Sequence, residues 1–281
     1  MRGLTYEEQI SKVTEAVKGF QAAYPEIQAV GVSIAGDVDT AEGTVSYRAV
    51  DQRNDAANFE YSTIPIRTQL EEATGLPVVV ENDGNAATLA EWKKGAAQDS
   101  QNVVSLSIGT FLGSGVVLRG SLVERRESGI KVGAFLVPGQ GFHDIMPVGH
   151  YASGVGLRNL VEHFLKEKPN SQLKDLIHGA SIDGKALLAL ARQGNEDAMT
   201  VYSELGKWIG LAATSAINMF QPEVVVLGGG VMAAHEFIMP SVHEMVLGHS
   251  EPGLTKKVRV ELAQHAHDSC LIGAAILAFG E

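Results

Sequence analysis

Cysteine is nearly absent: Cys270 is the only one in 281 residues. No internal disulfide can form, and no cysteine cluster can hold zinc. Long apolar runs are missing as well. None reaches the roughly 18 residues that a membrane-spanning helix needs, and Met1 to Ile10 carries no basic-then-apolar leader. A cytoplasmic location without a membrane partner is the expectation. Basic residues are also in short supply. Lys and Arg number 22 against 33 Asp and Glu, for a formal net charge of −11. Nucleic-acid binders show the opposite balance because they neutralise phosphates. No basic stripe is visible, so a small molecule is the expected partner.

Hydrophobic residues make up 45% of the chain, enough to fill one large core or two ordinary ones. Thr5 and Glu8 form a capping box ahead of Ile10, Val13, Val17 and Phe20, whose spacing predicts a helix ending before Pro25. Ala29 to Ile34 reads as a buried strand running into Ala35-Gly36-Asp37. A helix over Pro65 to Thr74, a strand over Pro77 to Val80 and a helix over Asn82 to Gly95 follow. That order predicts a parallel sheet faced by helices. Val103 to Ile108 and Gly115 to Leu118 read as strands, with a turn at Arg119-Gly120. Glu124 to Gly149 reads as loop with short strands, and helices dominate from Gly156 to Phe220. After a break at Gln221-Pro222 come a strand over Glu223 to Leu227, another over Lys257 to Leu262, and a helix over Ser269 to Phe279. The plan is α/β in two lobes, 1–98 and 99–265, divided near Ala96 to Asn102. A terminal helix within 266–281 returns to the first lobe.

Glu81-Asn82-Asp83-Gly84-Asn85 follows a hydrophobic strand directly. A carboxylate just past a parallel strand's C-terminal end stands where open α/β sheets bind ligands. Asp83 there could take a proton from a substrate hydroxyl, and Asn82 and Asn85 carry amides suited to sugar hydroxyls. The same residues suit a cap on the following helix, and spacing alone favours the cap. Ser107-Ile108-Gly109-Thr110-Phe111-Leu112-Gly113-Ser114-Gly115 is a Gly-rich turn between strands, which lets backbone N–H groups approach a phosphate. Thr110 adds a hydroxyl; a plain tight hairpin is the alternative. Gly228-Gly229-Gly230 ends a buried strand and lets backbone lie close to a flat ligand, or simply makes a flexible turn. His143-Asp144 with His150, and His265-x-His267-Asp268, contain metal-ligand residue types, the last pair sharing one face if on a strand. Solvated loop histidines are the better reading, and no metal site is assigned. Trp92 and Trp208 read as helix packing residues, and Cys270 as inert core.

In order, these motifs resemble the ROK family of sugar kinases. Members carry a strand, Glu-Asn-Asp-x-Asn-Ala-Ala and a helix with a Glu. This chain has Val78 to Val80, Glu81 to Ala87, and Glu91. The family's Gly-x-x-x-Pro-Gly loop is matched by Gly31 to Gly36, with Ala35 for Pro. Gly109 to Gly115 resembles the second phosphate loop of the actin-like ATPase (ribonuclease H-like) fold. Gly228 to Gly230 resembles the loop against adenosine. Tyr151 to Gly154 and Gly273-Ala274-Ala275 resemble later family segments. The resemblance implies that Asp83 activates the phosphate-accepting hydroxyl, with Asn82 and Gly36 on the sugar side. It implies Gly109, Thr110, Gly113, Gly115 and Gly228 to Gly230 on the nucleotide side, and ATP with Mg²⁺ as phosphate donor. A homodimer rests on the resemblance alone.

The chain departs from the family at two places. No Asp-x-Gly-Gly-Thr turn precedes Thr5, so the first lobe is expected to be incomplete, with a sheet edge left open. Ser128 to Ala134 stands where many members have Gly-Glu-x-Gly-His and a zinc-binding cysteine cluster; the Glu, His and cysteines are absent, and Gly149 takes a second Glu's place. No structural zinc is expected. A hexose or amino-sugar kinase is therefore weighed against a non-catalytic sugar- or nucleotide-binding descendant. A ROK-type repressor is the third reading; the net charge and the lack of room before Thr5 for a helix-turn-helix speak against it.

Overall fold

The computed structural model describes residues 6–49, 60–123, 129–139, 141–179 and 181–280. Two compact units divide the chain. One comprises Met1–Ala90, Glu124–Gly129 and Asp268–Glu281; the other comprises Glu91–Val123 and Ile130–His267.

The first unit opens with helix α1 (Tyr6–Ala23) and strand β1 (Val30–Ile34). The antiparallel meander β2 (Asp37–Asp39), β3 (Thr44–Ala49) and β4 (Glu60–Ile64) follows, then α2 (Ile66–Thr74), β5 (Val78–Asn82) and α3 (Asp83–Lys94). Ile10 and Val13 of α1 face the core as their spacing predicts, whereas Phe20 is 58% exposed and does not belong to that face; Thr5 of the capping box lies outside the described residues. α2 stops where Gly75 takes the left-handed conformation (φ 72°) and its N–H bonds back to Glu71 O, a stop that favours Gly. β1 and β5 pair in parallel, Val30 opposite Val78 and Ile34 opposite Asn82. Val38, Val45, Ile66, Leu70, Val78 and Val80 form this unit's core, with Ile10 and Val13 of α1 packed on it.

Two expectations need correction here. β1 is half-buried along its whole length rather than buried, because β5 is its only strand neighbour among the described residues. The meander β2–β4 is additional to the strands expected; its first strand is three residues long and reads as turn chemistry.

The second unit holds a mixed sheet in the order β14-β13-β6-β7-β8. Its strands are β6 (Val103–Ile108), β7 (Leu112–Leu118), β8 (Ser121–Leu122), β13 (Val224–Gly228) and β14 (Arg259–Leu262). β13 runs parallel to both β6 and β14, whereas β6, β7 and β8 form hairpins. Between them lie the hairpin β9 (Leu136–Gly139) and β10 (Gly141–Pro147), helix α4 (Gly154–Glu167), the small hairpin β11 (Ile177–His178) and β12 (Ser181–Ile182), and helices α5 (Gly184–Arg192), α6 (Glu196–Phe220) and α7 (His235–His249). β13 is buried at every residue, as a central parallel strand between two neighbours must be. α6 ends where Gln221 adopts φ 46°, ahead of Pro222. α7 has no counterpart in the sequence reading, because Pro240 inside it interrupts the helical signal.

Helix α8 (Ser269–Phe279) belongs to the first unit. It packs on β1 and β5; Gly31 of β1 permits backbone contact with Ala274 of α8, and Gly273 of α8 permits backbone contact with Ala86 of α3. No helix among the described residues is long and apolar enough to cross a membrane.

Candidate functional site

In the first unit the chemistry gathers where β5 passes into α3. The parallel register sets Ile34 beside Asn82, so the loop after β1 lies next to the end of β5. Gly36 turns there with φ 135°, a conformation that favours glycine. Its carbonyl accepts the Asn82 side-chain N–H at 3.0 Å. Asn82 Oδ1 accepts the Gly84 N–H at 2.9 Å, and Asp83 Oδ1 accepts the same N–H at 2.9 Å. Asp83 is the first residue of α3 and Asn82 stands at the cap position before it, so the cap and the strand-end carboxylate sit in adjacent residues.

Burial pushes the Asp83 carboxyl above its usual value; hydrogen bonds from Gly84, from its own backbone and from the Asn82 side chain oppose the rise. A carboxylate so raised holds a proton more readily, which is what a general base needs. Asn85 stands apart from this surface. It is 1% exposed, its Nδ2 donates to Glu81 Oε1 at 3.1 Å, and its Oδ1 has no partner among the described residues. It is thus an internal residue rather than a ready acceptor of sugar hydroxyls. Cys270, half-buried at the start of α8, donates its thiol hydrogen to the Asp83 carbonyl at 3.5 Å. Burial, and then the Asp83 charge, push that thiol's pKa up.

In the second unit β6 and β7 are joined by a short turn, since Ile108 already pairs with Leu112. Gly109 and Thr110 lie in this turn. Gly113 and Gly115 do not: they sit within β7, opposite Ser107 and Ser105. The expected Gly-rich loop is therefore shorter than its glycine pattern suggests. One of its N–H groups and two of its carbonyls are engaged. The Gly109 N–H bonds to Phe111 O at 3.0 Å, and the carbonyls of Gly109 and Thr110 accept from Gly154 and Val155 at the start of α4, at 2.8 and 3.2 Å.

The glycines after β13 lie beside this turn. Gly229 has φ 90°, and a Cβ there would stand 2.5 Å from the Ile108 carbonyl oxygen. Gly228 to Gly230 line a cleft of about 260 Å³ with Met232, Leu262 and Ala263, flanked by His235 and His267. A glycine floor with apolar walls suits a flat heterocycle. Gly229→Ala should therefore cost about 1–3 kcal/mol in backbone strain alone. We expect it to remove any thermal stabilisation by adenine nucleotides; a melting curve with and without ATP checks this.

Sequence reasoning did not find His235. It noticed His267, but as half of a metal pair. β14 ends at Leu262, and Ala266 turns with φ 23°, so His265 and His267 do not share a strand face. His265 Nε2 instead lies 2.9 Å from Lys94 O. Glu91 is a buried staple: its carboxylate accepts the N–H groups of Ala96, Gln264 and His265 at 3.0, 3.0 and 2.8 Å. His150 contacts Asn159 at 3.1 Å, and the side chains of His143 and Asp144 lie outside the described residues. Trp92 donates to Ser100 O at 2.8 Å, and Trp208 stacks on Tyr151 with centroids 4.2 Å apart; both are packing residues.

The sequence pattern of the ROK family matches residues 3–281. A glucokinase from Streptomyces coelicolor is 30% identical over 287 residues, covering 98% of this chain and 87% of that protein. The crystal structure of a ROK family glucokinase from Streptomyces griseus in complex with glucose and AMPPNP superposes with a TM-score of 0.78 at 28% identity, over 99% of this chain and 89% of that one. A ROK family transcriptional regulator, a homologue of the E. coli MLC protein, superposes with a TM-score of 0.82 at 24% identity, over 99% of this chain and 70% of that one. This last likeness bears on fold alone.

Proposed function

The chain belongs to the ROK family, with its α/β fold of the actin-like ATPase (ribonuclease H-like) class, and from that premise we propose that it is a kinase transferring the γ-phosphate of ATP to a hydroxyl of a hexose or amino sugar. The observation that carries this reading is Asp83. It stands at the C-terminal end of a parallel strand, is raised in proton affinity by burial, and is braced by Asn82 and Gly84. As the bond from the sugar oxygen to phosphorus forms and the bond to ADP breaks, the hydroxyl proton passes to the Asp83 carboxylate. The relatives named above, one of them crystallised with glucose and an ATP analogue, support sugar and nucleotide as ligands.

In this reading residues 1–98 form the sugar side with Asn82 and Gly36, and 99–265 the nucleotide side, with 266–281 returning to the first. Gly109 and Thr110 serve the phosphates, with Gly113 and Gly115 behind them, and Gly228 to Gly230 serve the nucleoside. Mg²⁺, when bound, neutralises charge on the transferring phosphate. The described residues gather no group of three or more His, Cys, Asp or Glu able to hold a metal, so the ion would arrive on the nucleotide. A cytoplasmic homodimer completes the proposal.

The second reading is a sugar- or nucleotide-binding protein without turnover. The engaged Gly109 N–H favours it, as does the absence of Glu and His between Ser128 and Ala134. Sugar-dependent ADP release decides between them. Release with any hexose or amino sugar establishes the kinase. Ligand-induced thermal stabilisation without ADP establishes the binder.

A further inference from the structure

The Glu81 carboxylate lies two residues before Asp83 and has no part in the chemistry above, yet Glu81 is only 1% exposed. Burying a carboxylate is costly unless hydrogen bonds compensate it. On Oε1 it accepts the Asn82 backbone N–H at 2.6 Å and Asn85 Nδ2 at 3.1 Å. On Oε2 it accepts the Thr40 hydroxyl at 3.2 Å, from a residue 41 positions earlier in the chain. Glu81 therefore holds the residue before Asp83 and a residue half a turn beyond it.

Thr40 is itself held firmly. It lies between β2 and β3, and the Arg67 guanidinium of α2 fastens that turn. Nη2 donates to Thr40 O at 2.5 Å, Nη1 to Ala41 O at 2.8 Å, and Nε to Val78 O on β5 at 3.2 Å. Gly43 makes the fit possible: with φ 68° and no side chain it leaves room for the Arg67 stem, which a Cβ would strike. The guanidinium ties the turn to β5, the turn's hydroxyl ties Glu81, and Glu81 ties the strand-to-helix junction that carries Asp83.

We propose that Glu81 and Thr40 are positioning residues for Asp83, with the β2–β3 turn acting through them as a brace for the proton acceptor. This rests on the role given to Asp83 above. A general base must come within about 2.6–3.2 Å of the proton it takes, and a misplacement near 1 Å costs about 100-fold in rate. Thr40 reaches the junction through the Glu81 carboxylate, so the brace shows first in turnover.

The test is steady-state kinetics on the full chain with Thr40→Val and Thr40→Ser, alongside Asp83→Asn and thermal melts of each. We expect Thr40→Val to lower kcat about 10- to 100-fold with the sugar KM within about twofold of wild type, and Thr40→Ser to restore kcat. Wild-type kcat in Thr40→Val overturns the inference. So does a kcat loss matched by the loss of folded protein, or a serine variant no better than valine. Inactive Asp83→Asn with fully active Thr40→Val removes the brace but keeps Asp83. Active Asp83→Asn, or a wild-type chain without turnover, removes the proposed function and the brace together.

Discussion

Asp83→Asn should lower kcat by about 10²- to 10⁴-fold while leaving the protein at least as stable as wild type. The first half follows from chemistry: an amide cannot take the proton that a carboxylate takes. The second follows from burial, which raises the Asp83 pKa above its usual 3.8. An acid raised in the folded state binds its proton more tightly there than in the unfolded chain. Its ionisation then opposes folding. That cost is absent below about pH 3.8, grows as pH rises toward the raised value, and persists at neutral pH. An asparagine carries no such charge, and its side-chain oxygen can still accept the Gly84 N–H. The melting temperature at neutral pH should hold or rise, and the gap to wild type should shrink on acidification. Wild-type activity itself should decline as pH falls through the raised Asp83 value. Unchanged kcat in the variant would sink the assignment of Asp83.

Gly273→Ala should have the largest effect on stability, near 3 kcal/mol, and Gly273→Val a larger one. A Cβ on Gly273 would fall on the backbone carbonyl of Ala86 in α3, and one on Gly31 of β1 would fall on the carbonyl of Ala274. These are main-chain contacts, so no side-chain rotation relieves them; in Gly273→Ala, α8 must move away from α3. A domain of this size loses roughly 2–4 °C per kcal/mol, which puts the expected fall in melting temperature at about 6–12 °C. A wild-type melting curve for Gly273→Ala would show that α8 does not need this close approach.

The strand–helix junction around Asp83 was legible because two periodicities meet there. The continuous apolar run of Val78 to Val80 gives way at once to caps and a helical pattern, and β5 and α3 lie where that switch predicts. Gly228 to Gly230 was legible for a similar reason, as glycines after a fully apolar strand. The 109–115 segment shows the limit. The glycine pattern runs on to Gly115, where the second strand is expected to open, but the pairing of Ile108 with Leu112 starts β7 earlier and puts Gly113 inside it as well. Glycine content does not reveal register. The Thr40–Glu81 contact spans 41 positions and leaves no trace in local spacing. His235 was hidden in the same way, since the cleft that gives it meaning draws on residues from 227 to 267.

Helix α8 has a consequence for synthesis. A chain leaves the ribosome from its N-terminus, and domains tend to fold in that order as they emerge. The first unit cannot follow that rule, because residues 268–281 belong to it and the face of β1 at Gly31 is covered only when Ala274 arrives. The second unit, complete by His267, has all its own residues earlier. The nascent protein thus carries this face of β1 uncovered until α8 is made, and the unit bearing Asp83 is finished after the second unit.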